Sequence, residues 1–159
     1  MMPRELKERQ TKLQRALATL SGGVEILATE NRGTRHNPGL CLKGNVRIPK
    51  GKLRLSVWEE FRQLDSTPIL HAFSYHVAEE ADIGIANPII RFECHPDLDE
   101  NEEANSQNPY AISPHFHPDL ASRSPFDKLH YPFHRSERNG IIFGLVEWMK
   151  VDLLKRFYS

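Results

Sequence analysis

Apolar and polar residues alternate along much of the region from residue 24 to residue 95, and such alternation is typical of half-buried β-strands. A Pro-Lys-Gly turn at 49–51 separates two of these runs, which predicts a β-hairpin. The predicted strands are residues 24–29, 42–48, 52–62, 68–77 and 88–95. Side chains at every second position share a face, so one face of the 52–62 strand is apolar and should meet the core. The residues on that face are Leu53, Leu55, Val57 and Phe61.

Apolar residues recur at helical spacing at both ends of the chain. Residues 3–20 carry a narrow apolar stripe among charged residues and predict an amphipathic helix, and residues 140–157 predict a second one. Because the strands follow one another without intervening helices, we expect an α+β fold. It consists of a single-layer antiparallel sheet of about four to six strands packed against an N-terminal and a C-terminal helix. The 159 residues fit one domain, 1–159.

Residues 96–138 show neither the two-residue alternation of a strand nor the apolar spacing of a helix. They contain six of the eleven prolines and an acidic run at 97–107 that has no basic residue. This composition predicts a long irregular excursion from the sheet, rich in proline and histidine, with an acidic loop. Long irregular segments are uncommon in compact domains unless they are functional or disordered, so this segment is a candidate location for function.

Charge and cysteine content narrow the function classes. Lys plus Arg and Asp plus Glu both number 21, which excludes the broad basic field of a general nucleic-acid binder and leaves only a local basic patch. Cys41 and Cys94 lack a CxxC partner, as expected in a reducing compartment. The charged N-terminus and the lack of a long apolar run predict a cytoplasmic protein that does not associate with membranes. A Gly-rich phosphate loop, a GxSxG elbow and an HExxH helix are all absent from the sequence.

Histidines are concentrated in one part of the chain, with five of the eight between positions 95 and 134. Imidazole, with an ordinary pKa of about 6.5, can give and take protons at neutral pH or bind a metal. We therefore expect the chemistry in this region. His71, amid Ile69 and Phe73, is instead expected to be a core histidine. The five clustered residues are His95, His115, His117, His130 and His134.

Arg91, Glu93 and His95 alternate along one predicted strand and should share one face. An arginine can hold an anion while a carboxylate orients an imidazole beside it, which is a catalytic arrangement. The competing interpretation is a cross-strand ladder of charges that contributes a fraction of a kcal/mol.

His115 and His117 stand two apart in the sequence Pro-His-Phe-His-Pro, so an extended backbone would point both side chains the same way. Such a pair can contact a substrate, or it can chelate a metal if a third ligand arrives from elsewhere, or it can simply pack within the loop. Candidates for that third ligand are His95, His130 and Asp119.

His130 and His134 have the spacing of a helical zinc pair, but Pro132 lies between them and disfavours a helix. His134 is followed by Arg135, which suits a loop that presents an imidazole and a cation to a phosphate. The competing interpretation is an exposed His-Arg pair without a role.

The order KLRLSVWEEF, ILHAFSYHV, IIRFECHPD, PHFHPD and LHYPFHR, followed by an amphipathic helix, resembles the TumE-type toxins of bacterial toxin–antitoxin pairs. The resemblance covers roughly residues 42–158. It implies a toxin role directed at RNA and a small DNA-binding antitoxin as partner. It carries function onto Arg91, Glu93, His95, His130 and His134, and onto Glu59 or Glu60 and Tyr75. Cys94 and the acidic insertion depart from the family pattern.

The leading hypothesis is a toxin-like endoribonuclease without a cofactor. In this hypothesis His95, His130 and His134 act with Glu93 and Arg91 in general acid–base catalysis. The substrate-binding residues would be Arg135, Tyr75, Glu60, His115 and His117. One alternative is a hydrolase dependent on a divalent metal held by His115, His117 and His95. Another is a non-enzymatic binding or assembly protein, and homodimerisation stays open.

Overall fold

A computed structural model describes residues 2–22, 24–31, 39–80, 87–94, 115–117, 131–132 and 139–157. The strands among these residues form one antiparallel sheet, in which every strand pairs with its neighbours in sequence. Five long strands make up most of the sheet, and two short segments extend it at the β5 side. The strands are β1 Ile26–Asn31, β2 Gly39–Ile48, β3 Leu53–Arg62, β4 Ile69–Glu79, β5 Asn87–Cys94, β6 His115–His117 and β7 Tyr131–Pro132.

The N-terminal helix α1 spans Arg4–Ala18 and packs its narrow apolar stripe on one face of the sheet. Leu6, Leu13 and Leu17 are buried, and their separations of seven and four residues place them on one face of the helix. The side-chain amide of Gln10 donates to the backbone oxygen of Ile26 over 2.6 Å. The helix is thereby tied to the first residue of β1.

The predicted hairpin is present as β2 and β3, which join through a short 3₁₀ turn, Lys50–Lys52. Its covered face holds the apolar residues expected there, with Leu53, Leu55 and Val57 buried. Gly44 in β2 lets neighbouring groups approach the backbone closely. A Cβ at this position would overlap Cδ1 of Ile26 and lie 3.6 Å from Cδ1 of Leu17.

An irregularity between β3 and β4 changes which residues are buried at one end of the sheet. Glu60 pairs with Ala72 and Phe61 pairs with Leu70, so His71 is an extra residue in β4. Leu70 is therefore buried, whereas Ile69 is 48% exposed. His71 is half-buried, so the expectation of a core histidine was wrong; strict period-two counting does not anticipate a bulge.

The C-terminal helical segment begins as α2, Ile141–Trp148, continues through one π-helical turn, Met149–Leu153, and ends as α3, Leu154–Phe157. Ile142, Leu145, Met149 and Leu153 are buried in the same apolar cluster as the α1 leucines and the covered face of the sheet. The predicted α+β fold, a single antiparallel sheet packed against two terminal helices, is thus confirmed. None of the helices in the described part of the chain is long and apolar enough to cross a membrane.

Candidate functional site

The face of the sheet turned away from the helices, called here the open face, carries polar residues on β4 and β5. Antiparallel register pairs His76 with Arg91 and Ser74 with Glu93. All four residues are half-buried. The residues next to them in sequence on β4, Tyr75 and Val77, point to the opposite face, which the helices cover, and are buried there. Arg91 and Glu93 therefore share a face, as the alternation predicted.

The short strand β6 continues this register at the sheet edge. Its backbone pairs His117 with Arg91 and His115 with Glu93, while Phe116 pairs with Phe92. Residues paired across antiparallel strands are close neighbours, with Cα atoms about 4.5–5.5 Å apart. The fold thus brings the predicted pair His115 and His117 to the two residues of β5 that the sequence singled out.

Two rows of paired residues cross the sheet in straight register and end at these positions. Consecutive members of each row are Cα partners on adjacent strands. The first row is Lys43, Trp58, Ser74, Glu93 and His115. The second row is Asn45, Ser56, His76, Arg91 and His117.

Glu60 lies beside these rows on the open face, where it pairs with Cys41 and is only 6% exposed. Nη2 of Arg62 lies 3.7 Å from Oε2 of Glu60 and forms an ion pair with it. Burial raises the pKa of the Cys41 thiol, and the charge of Glu60 raises it further, against smaller opposing effects of Lys43 and a hydrogen bond with Trp58. Cys41 is therefore a protonated thiol packed among these side chains, not a reactive thiolate.

A second polar cluster lies on the covered face, beneath the helices. Arg9 of α1 forms a two-pronged ion pair with Glu59 of β3, with Nη2 to Oε1 at 2.5 Å and Nε to Oε2 at 3.0 Å. The Tyr75 hydroxyl donates to the same Oε1 over 2.6 Å. Glu59 and Tyr75 are completely buried. We call Arg9, Glu59 and Tyr75 the buried triad.

The buried triad raises the pKa values of Arg9 and Tyr75. Burial raises the pKa of Tyr75 well above its ordinary value, and the negative charge of Glu59 adds to the effect. Burial alone would lower the pKa of Arg9, but its hydrogen bond and charge interaction with Glu59 outweigh this and raise the pKa. Arg9 is thus held as a cation and Tyr75 as a neutral phenol.

Arg9 also reaches the C-terminal part of the chain. Its Nη1 donates to the backbone oxygen of Asn139 over 2.7 Å, and its guanidinium lies 5.0 Å from the centre of the Phe143 ring. Asn139 stands just before α2. One side chain therefore joins α1, the sheet and the start of the C-terminal helix.

The predicted site residues are divided between the two faces. Arg91, Glu93 and Glu60 lie on the open face, whereas Tyr75 does not join them, because its ring is buried on the covered face and its hydroxyl is bonded to Glu59. We therefore assign Tyr75 to the core rather than to substrate binding. His95, His130, His134, Arg135 and Asp119 lie outside the described residues, as do the side chains of His115 and His117.

The sequence did not single out His76 or Arg9, and it named Glu59 only as an alternative to Glu60. Glu59 continues the period-two series of Leu53, Leu55 and Val57, so a carboxylate on an otherwise buried face was a signal for a buried cation. Arg9 lies on the α1 stripe between Leu6 and Leu13 and was the matching signal.

Within the part of the chain that the structure describes, no group of three or more His, Cys, Asp or Glu residues could hold a metal ion. No protein-family model, curated protein or solved structure matches the chain. The resemblance to the TumE-type toxins therefore stays a prediction that rests on the quoted residues.

Proposed function

We propose that this protein is a toxin-like ribonuclease that cleaves RNA on the open face of its sheet, around Arg91. The observation that supports this most is the register at β4, β5 and β6, in which Arg91 has His76 as its partner on one side and His117 on the other. Glu93 occupies the corresponding place in the neighbouring row, beside His115.

The chemistry that fits this arrangement is transfer of the phosphodiester to the 2'-oxygen. One neutral imidazole takes the 2'-hydroxyl proton as that oxygen attacks phosphorus, and an imidazolium protonates the 5'-oxygen as its bond to phosphorus breaks. Arg91 stabilises the charge that develops on the phosphoryl oxygens, and Glu93 orients an imidazole. His95, the residue after β5, and His130, His134 and Arg135 complete the proposal as further acid, base and phosphate-binding groups.

The toxin part of the proposal rests on the resemblance alone. A small DNA-binding antitoxin would be the partner, and an adjacent open reading frame for such a protein is the observation to seek. The acidic run at 97–107 is a candidate for binding a basic partner, because it carries several carboxylates and no basic residue.

The test is cleavage of a labelled single-stranded RNA by purified protein, compared with DNA of the same sequence. Arg91→Ala should lower the rate about 10²- to 10³-fold, as loss of one charge-stabilising donor does. His117→Ala and His76→Ala should each lower it about 10²- to 10⁴-fold. The matched controls are Arg15→Ala, on the exposed side of α1, and His36→Ala, outside the cluster.

Three results would contradict the proposal. They are equal cleavage of RNA and DNA, full activity in all three variants that remain folded, and retained toxicity in both His95→Ala and His134→Ala. Dialysis against a chelator separates the metal-dependent alternative: activity that is lost and then restored by zinc or manganese supports the hydrolase with His115 and His117 as ligands. Unchanged toxicity after alanine replacement of all five clustered histidines supports a binding protein instead.

A further inference from the structure

The open face continues from Arg91 to a groove at the other side of the sheet. β1 pairs with β2 only from Ile26 and Gly44 onward, and a groove opens there beside β2. The groove encloses about 680 Å³. Among its lining residues are Leu27, Lys43, Asn45, Arg47 and Trp58.

Aromatic and cationic groups meet in this groove. Trp58 is half-buried, and its neighbour across the strands is Lys43, which is exposed. The side chain of Trp58 lies beside the buried Cys41 on the open face and lowers the pKa of that thiol through a hydrogen bond, against the larger effect of burial. Leu27, the partner of Lys43 on β1, is 54% exposed and adds apolar surface.

The charges around the groove favour an anion. Arg47 and Arg54 share the single carboxylate of Glu80, at 3.2 and 3.0 Å, and keep 71% and 50% of their side-chain surface exposed. The lining of the groove itself carries two cations, Lys43 and Arg47, against one carboxylate, Glu25. A local positive excess thus exists in a chain of zero formal net charge.

We infer that this groove binds a nucleotide of the RNA strand that flanks the cleaved phosphodiester, with its base against Trp58 and a phosphate held by Lys43 and Arg47. An aromatic ring beside cations is how proteins bind single-stranded nucleic acid without reading its sequence. The inference rests on the proposed function. It also gives a local basic footprint to a chain that lacks a global one.

The two residue rows make the groove and Arg91 parts of one track. Lys43 and Trp58 begin the row that reaches Glu93, and Asn45 begins the row that reaches Arg91. Strands lie about 4.8 Å apart, so β3 and β5 are about 10 Å apart. One RNA strand laid across the strands can therefore contact both places.

Tryptophan fluorescence tests the inference directly. In a Trp148→Phe background Trp58 is the only remaining tryptophan, since the chain has two. An oligouridylate of about eight nucleotides should quench it in a saturable manner, because stacking on an indole does not depend on sequence. The protein used for this measurement also carries His117→Ala, so that the oligouridylate is not cleaved during the titration.

Variants of the groove define the expected change. Trp58→Ala should weaken binding about 5- to 100-fold, measured by anisotropy of labelled RNA, whereas Trp58→Phe keeps a ring and should lose much less. Lys43→Ala and Arg47→Ala should each reduce the salt dependence of binding by about one counterion. Lys12→Ala on the exposed side of α1 is the matched control and should change nothing.

The outcomes separate this inference from the proposed function. Unchanged affinity in folded Trp58→Ala, Lys43→Ala and Arg47→Ala overturns the groove as a nucleotide site, while Arg91-dependent cleavage would survive. Quenching by a polyglutamate peptide as strong as that by RNA also overturns it, because it indicates a plain cationic patch. Saturable RNA binding that depends on Trp58, in a protein that cleaves no RNA, supports the groove and overturns the nuclease.

Discussion

The hydroxyl of Tyr75 and the carboxylate of Glu59 form a 2.6 Å hydrogen bond inside the apolar core, with the tyrosine as donor. Glu59 pairs in register with Phe73, so Tyr75 is its diagonal neighbour on the covered face. The rings of Phe73 and Tyr75 stack at 4.9 Å beside this bond. Together with Arg9 the bond satisfies a charged group that the core could not otherwise hold.

Removing the charge of Glu59 should therefore be costly. Glu59→Gln leaves the Arg9 guanidinium buried without a counter-charge, and we expect the free energy of unfolding to fall by about 3–5 kcal/mol. Urea denaturation measures the loss. Glu30→Gln, an exposed residue on β1, is the matched control and should stay within about 0.5 kcal/mol of the wild type. A loss below about 1 kcal/mol in Glu59→Gln would show that the ion pair is not what holds the helix to the sheet.

Replacing the whole buried triad with apolar residues should cost far less than breaking it. Arg9→Met, Glu59→Leu and Tyr75→Phe together remove the charges and the desolvation penalty at once, so the triple variant should be more stable than Glu59→Gln and close to the wild type. Thermal and urea unfolding of both variants make the comparison. If the triple variant is less stable than Glu59→Gln, the prediction is wrong, and the triad stabilises the fold by more than the mutual compensation of its charges.

Tyr75 should give the protein an alkaline limit. In the unfolded chain its hydroxyl ionises near a pKa of about 10, whereas in the folded protein burial and Glu59 hold the pKa well above that value. Above pH 10 the unfolded state then binds fewer protons than the folded state, so the free energy of unfolding falls as the pH rises. Tyr75→Phe should show a shallower fall in urea midpoint between about pH 9 and 11. Equal slopes in wild type and Tyr75→Phe would rule out this origin.

Two glycines should respond in opposite directions to the same substitution. Gly44→Ala places a methyl group against Ile26 in the core and should cost about 1–3 kcal/mol. Gly144→Ala meets nothing within 4 Å in the exposed part of α2 and should add about 0.5–1 kcal/mol. Chemical denaturation of the two variants is the measurement. A stable Gly44→Ala would mean that Ile26 repacks without strain.

Periodicity alone predicted the fold well because each strand pairs with the next and each buries one face. Leu53, Leu55 and Val57 point to the core as expected, and Arg91 and Glu93 share the open face as expected. Strict alternation from Phe73 would bury Ile69 and expose Leu70, whereas the structure does the reverse, because the bulge at His71 depends on pairing with β3 and leaves no mark in the pattern.

The candidate site was only partly predictable, since sequence distance hides neighbours. His76 carries no local signal, and its place beside Arg91 follows from the register of β4 with β5. Arg9 and Glu59 lie far apart in the chain, and only the joint packing of α1 and β3 brings them together. The groove at Trp58 depends on where β1 leaves β2, which alternation cannot fix.

The contacts of Arg9 also bear on the order in which the chain folds. Each strand of the sheet pairs with its neighbours in sequence, whereas Arg9 closes separations of 50 residues to Glu59 and 130 residues to Asn139. Contacts of such long range form late, after the local hairpins have gained their own stability. We expect Arg9→Met to accelerate unfolding in stopped-flow experiments and to leave the refolding rate nearly unchanged. The buried triad would then slow unfolding and so set the lifetime of the native state.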